Sequence, residues 1–257
     1  MLPGDHGDKF IIHWLDESRA HRIVWLLEIL DLDYELKIHL RNPETFRAPP
    51  ELLLIHPLGK APVLEIIPGN GGKKLILAES GHIIQYLIRN YDPYKILTPD
   101  SEEQQMQVDY YLHFSEGTMQ HINVSLLINS MAKKIAPLGT RTLAGMVTRG
   151  LNLGYYIHEF LMNMNFLESQ LDKEGTGFFV GNRLSGADII LSFPVWENVF
   201  NNPDIHKITG IKKDFNQMWP HLAAWCGNVE NHPTYIKVNE IVEEQMEEYF
   251  TQENGKR

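Results

Sequence analysis

The stretch His56–Leu64 has the sequence His-Pro-Leu-Gly-Lys-Ala-Pro-Val-Leu and leads through an Ala61-Pro62 step into an apolar run. A proline at the start of a strand cannot complete a ladder hydrogen bond. A cis bond before Pro62 would turn the backbone of Ala61 outward, where it could pair with an extended peptide ligand. A trans bond would make the segment an ordinary loop, and both forms are open at this point.

Two short strands and a helix follow this stretch. Val63–Ile67 and Leu75–Leu77 are apolar, and a Pro-Gly-Asn-Gly-Gly segment at residues 68–72 lies between them. Such a glycine-rich turn predicts an antiparallel hairpin. Ser80–Asn90 then has apolar residues at helical spacing, which predicts a helix.

A strand, a helix and a second strand precede the stretch. Phe10–Leu15 is a short apolar run, which predicts a buried strand. Arg19–Leu30 has apolar residues on one helical face, and Tyr34–Leu40 alternates apolar with polar side chains. A strand–helix–strand unit followed by a hairpin and a helix is the α/β thioredoxin-like arrangement, which we assign to residues 1–93.

The remainder of the chain predicts helices. Residues 94–103 contain a proline and several acidic residues and predict a linker. We expect residues 104–257 to form an all-α domain. Its helical stretches fall at about residues 104–131, 141–172, 186–200, 215–230 and 234–250.

Composition and charge exclude several classes of function. The formal net charge of the 257 residues is −10, which disfavours binding to a nucleic-acid backbone. The single cysteine, Cys226, excludes an intramolecular disulfide and a Cys-x-x-Cys redox pair. No segment is apolar over the roughly 18 residues that a membrane-spanning helix needs, and residues 1–9 lack the apolar core of a signal peptide. We therefore expect a cytoplasmic protein with no membrane span.

Metal chemistry is not indicated by the sequence either. The twelve histidines are scattered, and no HExxH motif or His-x₃-His pair occurs, so we expect no metal site. Cys226 follows Trp225 in a helical stretch and is expected in the core.

Polar residues stand at two points where a strand gives way to a helix. Ser18 lies where backbone N–H groups and the helix dipole favour an anion, but it could also be only the N-cap of its helix. The N–H and hydroxyl of Ser80 suit a carboxylate, and the adjacent Glu79 suits an ammonium group. An acidic residue at a helix start is also common for purely structural reasons.

Together and in this order, these segments resemble the glutathione transferase family. Ser18–Leu27 is similar to the first helix of its serine-type members, and His56–Leu64 is similar to its Asn/His-Pro-x-Gly-Lys-Val-Pro-x-Leu loop. Glu79-Ser80 resembles its Glu/Gln-Ser pair, and Leu184–Ile189 resembles its capping box. The resemblance covers roughly residues 10–240 and is nearest to theta-like fungal and bacterial members.

Three structural predictions come with the resemblance. The Ala61-Pro62 bond should be cis. Ser185 should cap its helix while Asp188, at the third helical position, reaches back, which is a role in folding rather than in chemistry. The family usually pairs two subunits about a twofold axis, so we also expect a homodimer.

The resemblance implies that glutathione is a co-substrate and that no other cofactor is needed. Ser18 would donate a hydrogen bond to the glutathione sulfur, and Ala61 would pair its backbone with the cysteinyl unit. The residues expected to hold the tripeptide are Arg47, Lys60, Ala61, Pro62, Glu79 and Ser80.

The two charged ends of glutathione would be held separately. Glu79 and Ser80 would bind the γ-glutamyl ammonium and carboxylate. Arg47 and Lys60 are the nearby cations for the glycyl carboxylate, although residues 46–50 depart from the usual loop of the family.

The first helix of the second domain would line the electrophile pocket. The candidates on it are Tyr110, Tyr111, Phe114 and Glu116. Core packing of the same helix is an equally good interpretation, and the spacing does not say which tyrosine points inward.

The resemblance thus implies an enzyme that conjugates glutathione to small hydrophobic electrophiles, with glutathione-dependent peroxide reduction as an additional activity. One alternative is a glutathione-binding regulatory protein of the same fold that has lost turnover. Another is a glutathione-dependent isomerase, a group that begins with Ser-Ser where this chain has Glu17-Ser18.

Overall fold

The structure, a computed structural model, describes residues 7–254 and divides the chain into two units. The first unit takes the chain up to Thr98 together with the segment from Glu230 onward, and the second spans Pro99–Val229. The first unit carries a four-stranded sheet, while the second is helical within the described residues. The expected α/β part and the expected all-α part are therefore both confirmed.

The elements follow one another in the predicted order. Those of the α/β part are β1 (Lys9–Leu15), α1 (His21–Ile29), β2 (Tyr34–His39), a 3₁₀ helix (Pro50–Leu54), β3 (Val63–Ile67), β4 (Leu75–Ala78) and α2 (Ser80–Tyr91). The helices after them are α3 (Glu102–Phe114), α4 (Gln120–Ile135), α5 (Arg141–Leu151), α6 (Ile157–Glu174), α7 (Gly186–Leu191), α8 (Ile205–Thr209), α9 (Phe215–Met218), α10 (Pro220–Glu230) and α11 (Pro233–Asn254).

The four strands form one mixed sheet in the order β2-β1-β3-β4. β1 and β2 are parallel, as a strand–helix–strand crossover requires, while β1 with β3 and β3 with β4 are antiparallel. The β3–β4 pair is the hairpin predicted around residues 68–72. The topology confirms the thioredoxin-like arrangement.

Helices α1 and α2 supply much of the apolar core of the first unit. The side chains of Ile23–Leu27 are all completely buried, which fits a helix that is apolar on most of its surface. Ile83 and Leu87 of α2 are also completely buried. Phe10 of β1 meets Tyr91 at the end of α2 edge to face, with ring centroids 5.0 Å apart.

The last helix, α11, packs against α1 and not within the helical unit. The indole Nε1 of Trp25 donates to Thr234 Oγ1 at 2.9 Å, and the Trp25 ring lies 5.0 Å from that of Tyr235. Lys237 Nζ lies 2.6 Å from Glu28 Oε2. The division of the chain therefore differs from the expected second domain of residues 104–257, because the helix after residue 230 belongs to the first unit. The last residues of that range, 255–257, and residues 1–6 of the first lie outside the described residues.

The long helical stretches of the second unit are present with few changes. α3 continues into α4 through a π-helical segment at Ser115–Met119, and α5 continues into α6 through a second one at Asn152–Tyr156. α7 likewise continues into a π-helical segment at Ser192–Phe200, as the stretch 186–200 predicts. The stretch 215–230 is divided at Trp219, which follows α9 and precedes Pro220.

Asp188 at the start of α7 holds several parts of the second unit together. The capping box with Ser185 is confirmed, and the Ser185 N–H donates to Asp188 Oδ2 at 2.9 Å. The other carboxylate oxygen accepts from Trp225 Nε1 at 2.9 Å and from the Phe179 N–H at 3.1 Å. Burial raises the pKa of the Asp188 carboxyl, against the effect of these hydrogen bonds. Cys226, beside Trp225, is buried as expected.

Candidate functional site

The sheet register brings three predicted site segments to one edge. His13 lies opposite Val63, and Val63 lies opposite Ala78. Because β1 and β4 run antiparallel to β3, the end of β1, the start of β3 and the end of β4 all meet there. The segments that follow or precede these points carry Ser18, Ala61-Pro62 and Glu79-Ser80. The fold therefore gathers residues that are far apart in the sequence.

Ser18 lies in a turn and is not the N-cap of α1. The helix begins at His21 with Ala20 as its N-cap, and Ala20 makes no side-chain capping hydrogen bond. The Ser18 hydroxyl accepts from the Ala20 N–H at 3.2 Å, a local bond typical of serine in turns. The N-cap interpretation of Ser18 is therefore wrong, because Arg19 and Ala20 separate it from the first residue of the helix.

Arg41 fastens the turn that carries Ser18. Its Nε donates to the Asp16 carbonyl at 3.1 Å, and its Nη2 donates to the Glu17 carbonyl at 3.2 Å. Its backbone N–H donates to Asp16 Oδ1 at 2.6 Å. A third guanidinium bond, from Nη1 to the Phe46 carbonyl at 3.1 Å, connects the turn to the following loop. The planar guanidinium thus fixes the two peptide units immediately before Ser18.

The Ala61–Pro62 peptide bond is cis, as predicted. Lys60, one residue earlier, is exposed, and so is Arg47. Arg47 closes a short loop in which its carbonyl accepts from the Asn42 N–H at 2.9 Å. Both cations lie in segments that lead to or from the sheet.

Glu79 and Ser80 begin α2 in an uncommon backbone conformation. Glu79 is exposed and has a φ of 68°, a value that non-glycine residues rarely adopt. Glu17, the residue before Ser18, also has a positive φ, of 48°. Ser80 is buried at the first position of the helix, and the Glu79 side chain makes no capping hydrogen bond to it or to the next residues. The first turn of α2 is thus not closed by its own N-cap side chain.

A buried row of polar side chains crosses the sheet next to this edge. His13 Nε2 lies 2.8 Å from Glu65 Oε1, and His13 Nδ1 lies 3.0 Å from His39 Nε2. Lys74 donates to the other oxygen of Glu65. An ionised carboxylate only accepts, so the tautomer that fits the row has the proton on Nε2 of His13 and accepts at Nδ1 from His39.

The pKa values in this row follow from burial and from the neighbouring groups. Burial lowers the pKa of His39 to about 4, and the nearby His13 lowers it further while Glu51 opposes the change. Burial acts to raise the pKa of Glu65, but the hydrogen bonds from Lys74 and His13 outweigh burial and lower it. The row is therefore a set of interdependent polar contacts within the sheet.

The four electrophile-pocket candidates differ in exposure. Tyr111 is buried, with its ring 5.3 Å from Phe179 in the core of the second unit. Tyr110 is half exposed, stacks on Phe114 at 5.8 Å, and has a pKa raised by burial. Glu116 lies in the π-helical segment after α3 and is partly exposed. Tyr111 thus fits the core-packing interpretation, whereas Tyr110 presents an aromatic surface to solvent.

Sequence reasoning missed Arg41 and the polar row. Arg47 was selected because it is a cation near the loop, yet Arg41 is the one that touches the Ser18 turn. Two signals for the row were present, since His13 and Glu65 each interrupt an otherwise apolar strand. A buried charge or imidazole needs a partner, so these two interruptions could have been paired.

In residues 7–254, no group of three or more His, Cys, Asp or Glu side chains comes together as a metal site would require. Within the same range no helix has the length and apolarity needed to cross a bilayer.

Comparisons with known proteins match both ends of the chain to one family. Residues 18–90 match the model of the glutathione S-transferase N-terminal domain, and residues 156–238 match that of the C-terminal domain. Glutathione S-transferase 1 of Saccharomyces cerevisiae is 34% identical over 233 residues, which cover 89% of this chain and 93% of that protein.

Two solved structures extend the comparison to the whole fold. A glutathione S-transferase from Actinobacillus pleuropneumoniae has a TM-score of 0.66 and 32% identity, and the match covers 90% of this chain and 91% of that one. Ure2p in complex with glutathione has a TM-score of 0.66 at 18% identity, covering 89% and 97% of the two chains. Because the identity to Ure2p is only 18%, this second similarity shows the fold alone.

Proposed function

This chain belongs to the glutathione S-transferase family, and on that premise we propose that it activates the thiol of glutathione for conjugation to a small hydrophobic electrophile. The observation that carries the proposal is the sheet register, which aligns His13, Val63 and Ala78 at one edge. That register supports a common site formed by the segments that carry Ser18, Ala61-Pro62 and Glu79-Ser80. The location we propose is cytoplasmic, and the assembly is a homodimer.

The hydroxyl of Ser18 activates the thiol in this proposal. Its oxygen already accepts from the Ala20 N–H, so its own proton can be donated to the glutathione sulfur. A free thiol has a pKa of about 8.5, and lowering it to about 7 requires roughly 2 kcal/mol. One hydrogen bond to a charged group contributes about 1.5–3 kcal/mol, so a single hydroxyl is sufficient. The thiolate then attacks the electrophilic carbon, the leaving group departs with its bonding electrons, and the thiol proton passes to solvent.

The remaining site residues hold the tripeptide. The Ala61 backbone beside Pro62 pairs with the cysteinyl unit. The first N–H groups of α2, beginning at Ser80, receive the γ-glutamyl carboxylate, and the exposed Glu79 carboxylate receives its ammonium group. The absence of a Glu79 cap on the described first turn of α2 supports this assignment. Arg47 and Lys60 serve the glycyl carboxylate.

The electrophile binds at the aromatic surface of α3 in this proposal. Tyr110, exposed and stacked on Phe114, is the stronger candidate. Tyr111 supports the helix from the core side, and Glu116 follows on the next turn. Peroxide reduction by the same thiolate is a second expected reaction.

A glutathione-binding protein without turnover is the alternative function. The likeness in fold to Ure2p in complex with glutathione is compatible with it, and a glutathione-dependent isomerase is a further variant of the enzyme class. The test is a turnover screen with an aryl halide, an epoxide, an isothiocyanate and a hydroperoxide, run beside glutathione binding by calorimetry. Conjugation of at least one electrophile supports the proposal. Tight glutathione binding with no turnover of any of the four would establish the alternative.

A further inference from the structure

Helix α5, in the second unit, has its large apolar side chains on the outside. Leu143, Met146, Val147 and Leu151 recur at the spacing of one helical face, and each is between 48% and 61% exposed. None of the residues of α5, all of which the structure describes, is buried. An amphipathic helix normally turns such a face to a core, so α5 is oriented opposite to the usual rule.

The packing of α5 on α4 explains this orientation. Its inner face is made of small or polar residues, with Ala144, Gly145 and Thr148 partly buried. A Cβ atom added at Gly145 would lie 3.5 Å from Cδ of Lys133 on α4. Next to this contact, Asn129 Nδ2 donates to Asn152 Oδ1 at 2.7 Å. Since α4 takes the side with the small residues, the apolar stripe is left on the surface.

Exposed apolar residues also occur in the chain just before and just after α5. The hairpin formed by the end of α4, α5 and the segment after it, residues 133–155, is here called the α4–α5 tip. Further exposed apolar residues of the tip are Ile135, Leu138, Leu153 and Tyr155. An exposed apolar stripe on a helix, with further exposed apolar residues next to it in the chain, is a sign of an interaction site.

The α4–α5 tip differs in charge from the rest of the protein. The whole chain carries 33 acidic residues and a net charge of −10, yet no Asp or Glu occurs between Glu116 and Glu159. The tip carries four basic residues, Lys133, Lys134, Arg141 and Arg149, and all four are exposed. Within an acidic protein, the α4–α5 tip thus combines exposed apolar residues with charged side chains that are all basic.

We propose that the α4–α5 tip docks on the surface of a lipid bilayer that carries anionic phospholipid. A helix with an apolar stripe and basic flanks lies in the plane of such an interface, with its apolar side chains in the headgroup region. The negative surface of the cytoplasmic leaflet attracts Lys and Arg by about 1 kcal/mol each. Self-association through this face is the less favourable occupant, because a twofold contact would bring the same four cations against themselves. The proposal is independent of the thiol site.

The test is flotation of the full chain with vesicles of phosphatidylcholine, with and without phosphatidylserine. We expect binding only to the vesicles with phosphatidylserine, and we expect this binding to decrease as salt is raised.

Leu143→Ser with Val147→Ser should lower the partition coefficient at least about tenfold. Lys133→Gln with Lys134→Gln should lower it by roughly fivefold per residue. Phe250→Ser is the matched control, because Phe250 is 49% exposed on an acidic segment of α11, and it should leave vesicle binding unchanged.

Three results would overturn the proposal. The first is no binding of the wild-type chain to either vesicle. The second is binding that falls equally in Phe250→Ser and in the Leu143→Ser, Val147→Ser variant. The third is a lower mass of the Leu143→Ser, Val147→Ser variant than of the wild type by light scattering, which would identify the face as an interface between copies. Melting curves that match the wild type show that each variant is folded.

Discussion

Helices α7 and α2 each have a serine and an acidic residue at their start, but the two starts are built differently. At α7, Ser185 has an extended backbone, its hydroxyl accepts from the helix, and the buried Asp188 carboxylate bonds back to Ser185. At α2, Glu79 has a positive φ, points into solvent and does not cap the described first turn. A helix start that is closed by its own side chains contributes stability, whereas one that is left open can receive an anion.

The start of α1 follows the pattern of α2. Its N-cap is Ala20, which has no side-chain acceptor, and the nearby Ser18 hydroxyl bonds within the preceding turn. Glu17 before Ser18 and Glu79 before Ser80 share a positive φ, and such outliers cluster at functional sites. The comparison therefore predicts that substitutions at α7 affect folding and that substitutions around Ser18 affect the thiol.

Asp188→Ala should have the largest effect and should act on folding. It removes the acceptor of the Trp225 indole N–H and of the Phe179 N–H, both buried. Leaving these donors unpaired should lower the free energy of unfolding by about 3–5 kcal/mol. Urea denaturation of the variant and the wild type measures this difference in the free energy of unfolding.

Asp214→Ala is the control for this prediction. Asp214 caps α9 through Asn216 but is exposed, so its loss should cost only about 1 kcal/mol. If both variants lose the same free energy of unfolding, Asp188 is an ordinary helix cap.

Ser18→Ala should have the next largest effect and should act on chemistry. Without the hydroxyl, the pKa of the bound thiol should return from about 7 toward about 8.5, which lowers the thiolate fraction and hence conjugation about fifteenfold at pH 7. The loss should shrink as the pH rises, because solvent then deprotonates the thiol. The conjugation rate measured over a series of pH values gives the loss of activity. The absorbance of the thiolate of bound glutathione over the same series gives the pKa of the thiol.

Ser101→Ala is the matched control, because Ser101 caps α3 through the Gln104 N–H and is expected to have no contact with the thiol. It should lose about 1 kcal/mol of stability and keep the thiol pKa. If Ser18→Ala also keeps the wild-type thiol pKa, the activating group is a different one.

The sequence predicted local structure better than it predicted polar contacts between segments. The hairpin at residues 68–72, the α2 start at Ser80 and the capping box all depend on neighbouring residues, so local pattern was enough. Ser18 as an N-cap was wrong because the exact start of a helix is decided by the turn before it. The role of Arg41 depends on the parallel pairing of β1 with β2, which places residues 16 and 41 side by side, and no local pattern contains that information.

Arg41→Lys tests whether the Ser18 turn has to be fastened. A lysine keeps the charge but cannot bond the Asp16, Glu17 and Phe46 carbonyls together. We expect kcat to fall about fivefold to tenfold, with the KM for glutathione unchanged, because Ser18 would be present but less well placed. Steady-state kinetics separates the two parameters.

Lys37→Ala is the control for Arg41→Lys, because it removes a positive charge nearby in the sequence, from strand β2. Lys37 is exposed and 3.5 Å from Glu35, so its removal should change neither parameter. A rise in KM with unchanged kcat in Arg41→Lys would assign Arg41 to binding and not to positioning.

The last expected effect concerns His39 in the polar row and appears in stability, as a dependence on pH. His39 has a pKa lowered to about 4 by burial, with contributions from His13 and Lys37 and opposition from Glu51. In the unfolded chain its pKa is about 6.5, so between pH 6.5 and 4 the unfolded state takes up a proton that the folded state does not. Stability is therefore lost as the pH falls through this window.

His39→Gln removes this titration while keeping a donor toward His13 Nδ1, which makes it the sharpest test of the row. Since the His39 ring is only half buried, solvent screening reduces the full effect of the shift to about 1–2 kcal/mol. The variant should thus be less destabilised than the wild type on going from pH 7 to pH 4.5, by that amount. His82→Gln, at an exposed position on α2, should follow the wild type. Urea denaturation at both pH values decides the matter, because parallel curves for His39→Gln and the wild type would mean that the His39 ring titrates alike in the folded and unfolded chains.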